Sequence, residues 1–192
     1  MKNMNDTDKT TLIVKKAQAG ETRAMEQIIT IYNDKIFRLL FYRINSWTDA
    51  QDLTQETFIK AFKNIRKLKE PEKFKSWLYS IALNLITDFY RKRKLLSFFG
   101  RTAELDSMVE YDLYSENKPA LVKAKEFEKE VREKYMEFLS KNEKQIFMLK
   151  YIDDLTILEI AQTLNKNVST VKTHLYRGIK KIRKHGSKAY EK

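Results

Sequence analysis

The 192-residue chain contains no cysteine. Disulfides, thiolate zinc sites and thiol chemistry are therefore excluded. Only four glycines and two prolines are present, so the chain has few of the residues that punctuate a sequence into turns. β-branched alternation is scarce and no segment carries strand patterning, which predicts a mostly helical protein. No run approaches the roughly 20 apolar residues of a membrane span. The longest apolar clusters, such as Ile36–Ile44, are short and interrupted by charge. The N-terminus, MKNMNDTDKT, is polar and lacks the apolar core of a signal peptide. These absences predict a soluble, cytoplasmic protein with no membrane insertion.

What is present is positive charge. Lys and Arg number 38 against 26 Asp and Glu, giving a formal net charge of +12 and a pI near 9.6. Such a balance favours an anionic partner, either nucleic acid or an acidic membrane surface. Hydrophobic residues make up 42% of the chain, enough to supply a core.

Helical periodicity is strong from about Thr10 to Leu96. Asp8 or Thr10 can cap a first helix that ends near Gly20. A second helix is predicted over Thr22–Asn45, with Met25, Ile28, Ile29, Tyr32, Ile36, Leu39 and Leu40 recurring at three- and four-residue steps. A third starts at Thr48 or Asp49 and runs to about Leu68. Its stripe is Ala50, Leu53, Thr57, Ala61 and Ile65, widened by Phe58 and Phe62. Glu70-Pro71 breaks it, because proline disfavours helix at the preceding residue. A fourth runs from about Glu72 to Lys94, burying Phe74, Trp77, Leu78, Ile81, Ala82, Leu85 and Phe89.

Residues 101–120 then hold five acids against two bases, with Gly100 and Pro119 at the edges. Helical patterning resumes at about Leu121, where Phe127, Val131, Tyr135 and Phe138 line one face. Asn142 opens a further helix with Ile146, Met148 and Leu149 as its apolar set. The expected fold class is all-α: two small helical domains joined by an acidic flexible linker. The first domain spans residues 8–96, the linker 97–120 and the second domain 121–187.

The second domain ends in LTILEIAQTLNKNVSTVKTHLYRGIKKIR, Leu155–Arg183, which has the pattern of a helix-turn-helix. Thr156 and Glu159 form a capping box that fixes the start of its first helix, and Ile157, Ile160, Ala161 and Leu164 face inward. The turn Asn165-Lys166-Asn167 calls for a left-handed backbone residue, which Asn tolerates better than most. Asn167 is an N-cap for the second helix. There Val171, Leu175, Ile179 and Ile182 point to the core, leaving Ser169, Thr170, Lys172, Thr173, Tyr176, Arg177 and Lys180 outside. From Asn165 to Tyr190 there are eight Lys or Arg and no Asp or Glu. Hydroxyls and cations at the start of such a helix suit base edges and phosphates in a major groove. His174 has only His185 as a companion, so no metal site is expected.

Two features of the first domain point to partners. On the third helix Asp52, Gln55, Glu56 and Ile59 share the face opposite the apolar stripe. Paired acids invite acid–base chemistry, but no metal cluster, nucleophile or glycine-rich loop accompanies them. A docking surface for another protein fits better than catalysis; no enzymatic role and no cofactor are expected. The outward side of the fourth helix carries Lys75, Ser76, Tyr79, Asn84, Thr87 and Tyr90 and ends in Arg91-Lys92-Arg93-Lys94. A basic loop with Arg66, Lys67, Lys69 and Lys73 precedes it. Cations interleaved with aromatics and amides suit single-stranded DNA, although bases at a helix C-terminus also complement its dipole.

In this order, these segments resemble the bacterial sigma factors of the extracytoplasmic-function (ECF) type, in the sigma-70 family. Asp49–Phe58, DAQDLTQETF, is similar to the family's D-A-x-D-L-x-Q-E-x-F. Phe74–Asn84, FKSWLYSIALN, is similar to its F-x-x-W-L-x-x-I-A-x-N helix, and Leu155–Arg183 to its helix-turn-helix. The resemblance implies an alternative sigma factor that binds core RNA polymerase and directs promoter-specific initiation. It implies that Asp52, Gln55 and Glu56 dock on the clamp helices of the polymerase largest subunit. It further implies that Lys69, Lys73, Tyr79, Asn84, Arg91 and Arg93 meet the melted minus-ten strand. Ser169, Thr170, Lys172, Thr173 and Arg177 would read the minus-thirty-five duplex. An anti-sigma factor is a further implied partner. Asn165 and Asp154 stand where glycine is usual, and the loop 66–73 departs from the family pattern and carries no base specificity over.

Overall fold

The computed structural model describes residues 6–98 and 136–186. Among them every regular element is helical. The chain divides into two compact units, Met1–Val109 and Glu110–Lys192. The expected linker beyond residue 98, and the expected helix face of Phe127, Val131 and Tyr135, lie outside the described residues.

The first unit holds α1 (Asp6–Gln18), α2 (Thr22–Ile44), α3 (Trp47–Asn64) and α4 (Phe74–Phe98), with 3-10 turns at Ile65–Lys67 and Pro71–Lys73. Gly20, at φ +95°, ends α1 as expected. The Glu21 N–H reaches back to the Lys16 carbonyl and the Gly20 N–H to that of Ala17, so the last carbonyls of the helix are satisfied by the left-handed turn. A second left-handed residue, Asn45 at φ 58°, ends α2. The sequence reading placed the start of α3 at Thr48 or Asp49. The cap is Ser46 instead, whose hydroxyl accepts the Asp49 N–H at 3.3 Å.

The α3 stripe is buried throughout: Ala50, Leu53, Thr57, Phe58, Ala61 and Ile65. Thr54 and Thr57 enter the core without orphaned hydroxyls, because each donates to the carbonyl four residues back at 2.7 Å. α2 contributes Ile28, Tyr32, Ile36, Leu39 and Leu40, with Tyr32 edge-on to Phe74 of α4 at 5.6 Å between ring centres. Ile29, expected inside, is exposed. On α4 the buried surface is far wider than one stripe. Phe74, Ser76, Leu78, Tyr79, Ala82, Leu83, Leu85 and Ile86 are all buried, because α4 packs against both α2 and α3.

The second unit holds a 3-10 turn at Met136–Phe138, α5 (Lys141–Tyr151), α6 (Ile157–Thr163) and α7 (Val168–Gly186). Phe138, expected on a buried face, is exposed; its neighbours Met136 and Leu139 are buried. The capping box of α6 is present, with Thr156 N–H donating to Glu159 Oε2 at 2.7 Å and Glu159 N–H to Thr156 Oγ1 at 3.2 Å. A second box, Ser140 with Glu143, starts α5; the sequence reading gave that start to Asn142. Asn165 adopts φ 49°, and the Lys166 N–H returns to the Ala161 carbonyl at 2.9 Å. The α6–α7 turn is therefore closed in the way glycine closes the end of α1. The Val171 N–H bonds the Asn167 carbonyl at 3.1 Å, as an N-cap position requires.

Glu143 ties this unit together. Its side chain is 5% exposed, yet Lys181 of α7 donates to its Oε2 at 2.6 Å and the Ser140 N–H at 2.9 Å. Burial works against the charge, but the Lys181 ammonium and the two Ser140 hydrogen bonds outweigh it and hold the carboxyl below its ordinary pKa. A depressed folded pKa means that the stabilisation is present above the unfolded value of about 4.3 and is lost as pH falls through the folded one. Glu143→Gln, which keeps the shape and removes the charge, should lower the stability of the second unit at neutral pH by about 1 kcal/mol and flatten its loss below about pH 5. Both tryptophans, Trp47 and Trp77, lie in the first unit. Acid unfolding of the second unit is therefore followed by far-ultraviolet circular dichroism at unchanged tryptophan emission.

Candidate nucleic-acid and polymerase interfaces

Three surfaces gather the residues singled out by the sequence. The outer face of α3 presents Asp52 and Gln55 to solvent, with Glu56 half-buried and Ile59 51% exposed beside them. Glu56 pairs with Lys60 one turn on, at 3.0 Å. A protein partner that covered this face would gain apolar contact from Ile59 and hydrogen bonds from the polar groups around it.

The second surface lies where α3 and α4 meet. Lys60 and Asn64 of α3, Lys67 of the following turn, and Trp77, Ile81 and Asn84 of α4 line a cavity of about 390 Å³. Trp77 is half-buried, with its ring 5.8 Å from that of Phe74. Expected within the buried stripe, it stands instead at the edge of the core and forms a wall of the cavity. The Asn64 amide N–H donates to the Lys60 carbonyl at 2.9 Å, so its amide oxygen is left to accept. Asn84 is exposed at the rim. The cavity thus offers an apolar face, two amides and cationic side chains, a set that suits a planar, polar-edged ring with a phosphate nearby. Lys60 and Asn64 carry no expectation from the sequence, and Ile81, expected on the buried stripe, is half-buried at the cavity. Their signal was spacing: Lys60, Asn64 and Lys67 recur at four and three residues, as do Trp77, Ile81 and Asn84.

The basic residues expected to meet a melted strand divide. Lys69 is exposed. Lys73 is half-buried and bonded to Glu70 at 2.6 Å, and Arg91 is exposed and bonded to Asp88 at 3.1 Å. Arg93 is half-buried. The expectation that Tyr79 and Ser76 face outward is corrected. Tyr79 is 1% exposed and Ser76 is buried, because neighbours on two sides of α4 cover the turn that single-stripe periodicity leaves open. Tyr79 is a core side chain and cannot stack on a base. Tyr90 remains at the surface, but its hydroxyl donates to the Arg43 carbonyl; burial of the phenol, slightly offset by Arg93, raises its pKa.

The third surface is α7. Val171, Leu175 and Gly178 are buried against the unit, while Ile179 and Ile182 are half-buried. Ser169, Lys172, Thr173 and Arg177 are exposed, Thr170 is half-buried, and Tyr176 is 64% exposed. Thr173 returns its hydroxyl to the Ser169 carbonyl at 2.9 Å. Cations and hydroxyls therefore share one face of a 19-residue helix. Among the described residues no three His, Asp or Glu side chains gather as a metal site requires, and no helix is long and apolar enough to cross a membrane.

Comparison with known proteins places the chain in a family. Residues 28–95 match Sigma-70 region 2, and residues 133–182 match Sigma-70, region 4. The ECF RNA polymerase sigma factor SigW of Bacillus subtilis (strain 168) is 34% identical over 178 residues, covering 89% of this chain and 93% of that protein. The chain belongs to the ECF group of the sigma-70 family. It is an alternative sigma factor, binding core RNA polymerase and directing promoter-specific transcription initiation. RNA polymerase sigma factor SigV of the same organism is 32% identical over 156 residues, or 81% of this chain and 86% of that one. The fold is shared with CnrH, solved in complex with the cytosolic domain of CnrY. That match has a TM-score of 0.65 and 18% identity, over 91% of this chain and 94% of the CnrH chain. The region 2 match falls within the first unit and contains α3, α4 and the cavity between them; the region 4 match contains the helix-turn-helix.

The core position of Tyr79 in the sigma factor has a direct consequence. Tyr79→Ala should destabilise the first unit by about 3–5 kcal/mol, read from tryptophan emission in urea. Tyr79→Phe should leave promoter melting intact, an outcome that a DNA-contacting hydroxyl would not give.

Proposed function

We propose that this sigma factor divides its work among the three surfaces. The outer face of α3, with Asp52, Gln55 and Glu56 around Ile59, docks on the clamp helices of the polymerase largest subunit. The cavity between α3 and α4 receives an unpaired base of the minus-ten non-template strand, with Lys69, Lys73, Arg91 and Arg93 drawing the adjoining phosphates and Asn84 meeting the base edge. Ser169, Thr170, Lys172, Thr173 and Arg177 read the minus-thirty-five duplex from the major groove. The observation that carries this reading is the cavity itself. It is a concave site flanked by cations, on the two helices whose sequences carry the family motifs, and its volume lies in the range of about 300–1,000 Å³ of small-molecule sites.

The two units correspond to functional domains at 8–96 and 121–187, joined by the acidic segment 97–120. The protein acts in the cytoplasm, where core polymerase and promoter are, and works by binding rather than by catalysis. An anti-sigma factor is a further partner, a reading supported by CnrH, whose structure holds it with the cytosolic domain of a second protein.

The division of labour predicts separable defects. Arg177→Ala should weaken binding to minus-thirty-five duplex by about 1–3 kcal/mol if it contacts a base, or lower the salt slope by about one if it contacts a phosphate. Gln55→Ala should weaken co-migration with core polymerase and leave duplex binding unchanged. Fluorescence anisotropy on labelled duplex, run beside native-gel co-migration, separates the two; the same defect for both variants in the DNA-only assay would overturn the assignment. Asn84→Ala should leave both of these intact and reduce permanganate reactivity of the minus-ten strand.

A further inference from the structure

The basic turn after α3 is held from outside the region 2 match. Gln18, the last residue of α1, donates through its amide nitrogen to two carbonyls of that turn, Ile65 at 2.9 Å and Leu68 at 2.8 Å. These partners lie 47 and 50 residues away in sequence. Both N–H groups of the amide are thereby used as donors; the Ile65 carbonyl accepts the Leu68 N–H as well, at 3.1 Å, and the Leu68 carbonyl lies just past the 3-10 turn. Arg66 and Lys67 lie between the two pinned carbonyls, and Lys67 lines the α3–α4 cavity. The start of the turn is also close to the end of α1. A Cβ added at Gly20 would lie 3.6 Å from the Arg66 guanidinium.

We propose that Gln18 is a positioning residue for promoter melting: it clamps the Ile65–Leu68 turn so that Lys67 is held at the wall of the cavity. The inference rests on the reading of that cavity as the site of an unpaired base. Gln18 itself touches no DNA. Its two hydrogen bonds add to the buried Ile65 side chain and to the Leu68 N–H bond to the Ile65 carbonyl, so that the turn is ordered before DNA arrives. A cation held in place in advance spends none of its binding energy on being ordered. α1 thus belongs to the DNA-handling machinery although it lies ahead of the matched region 28–95.

The test uses the full-length sigma factor with core polymerase on a promoter selected from a randomised library. Gln18→Met keeps the side chain's length and loses both donors; Gln18→Lys, one atom longer and charged, restores donors to both carbonyls. Gln18→Met should lower permanganate reactivity of the minus-ten strand on duplex promoter on the order of tenfold, and Gln18→Lys should recover most of it. Co-migration with core and the urea midpoint of tryptophan emission should stay near wild type in both. On a promoter with a pre-opened minus-ten bubble, transcription by Gln18→Met should approach wild type. Wild-type melting by Gln18→Met would overturn the proposal, and so would a parallel loss of unfolding midpoint, core binding and melting that Gln18→Lys fails to relieve. Asn84→Ala, run alongside, separates the two levels. If it too melts normally, the cavity reading fails. If it is impaired while Gln18→Met is not, only the clamp fails.

Discussion

A helix has one circumference to divide between its core and its partners, and that division decides where this sigma factor can work. α3 spends a narrow stripe on the core, from Ala50 through Leu53, Thr57 and Ala61. A whole face is left over, and Asp52, Gln55 and Ile59 occupy it. α4 has less to give. With neighbours on two sides it buries Ser76, Tyr79, Leu83 and Ile86 as well as the expected stripe. Its free surface contracts to the edge that carries Trp77, Ile81 and Asn84. The cavity forms where that edge runs beside Lys60 and Asn64 of α3. It is a consequence of two helices each covering less than all of the other.

This division also explains what the sequence could and could not disclose. Periodicity located α2, α3 and α4 within a few residues, because each has at least one continuous apolar stripe. Short-range chemistry was legible too: the Thr156–Glu159 box and the left-handed Asn165 depend only on neighbours in the chain. The outward placement of Tyr79 failed because periodicity describes one covered face and is silent about a second packing neighbour. Ser140-Lys141-Asn142-Glu143 contains a capping box in plain spacing, and Asn142 drew the assignment away as another good cap residue. That Glu143 also anchors Lys181 depends on a contact across 38 residues. The Gln18 clamp and the cavity are likewise products of tertiary crossing, which no local pattern encodes.

Electrostatics distinguishes the two DNA surfaces. On the first unit several cations are already engaged with acids one turn away: Lys60, at the cavity, with Glu56, and Lys73 with Glu70 and Arg91 with Asp88 elsewhere. Exposed pairs of this kind are worth about 0–1 kcal/mol. They hold side chains in place without preventing a change of partner to phosphate. α7 differs, having no acid anywhere between Val168 and Gly186. Lys181 of this helix is paired with Glu143 of α5; on the proposed reading it is Lys172 and Arg177 that meet the duplex, where each phosphate contact is strongly salt-dependent. On the proposed reading a melted strand meets a partly neutralised, shaped site, and intact duplex a helix that carries no acid of its own.

The energetics of opening show why neither surface suffices alone. Extruding a base from the stack costs a few kcal/mol, and one stacking contact returns about 1–3 kcal/mol. On these figures a cavity walled by one indole and two amides roughly cancels the cost of unstacking, with little net gain. The remainder has to come from nearby cations and from holding the strand close. Core polymerase supplies the second: by carrying the sigma factor and the promoter together it turns each further contact into an intramolecular one, raising effective concentration without any new interaction. Modest sites are then an advantage. A cavity that bound single strands tightly by itself would be occupied away from promoters, whereas one near balance, on the proposed reading, would open DNA only where the α3 face and α7 are engaged as well.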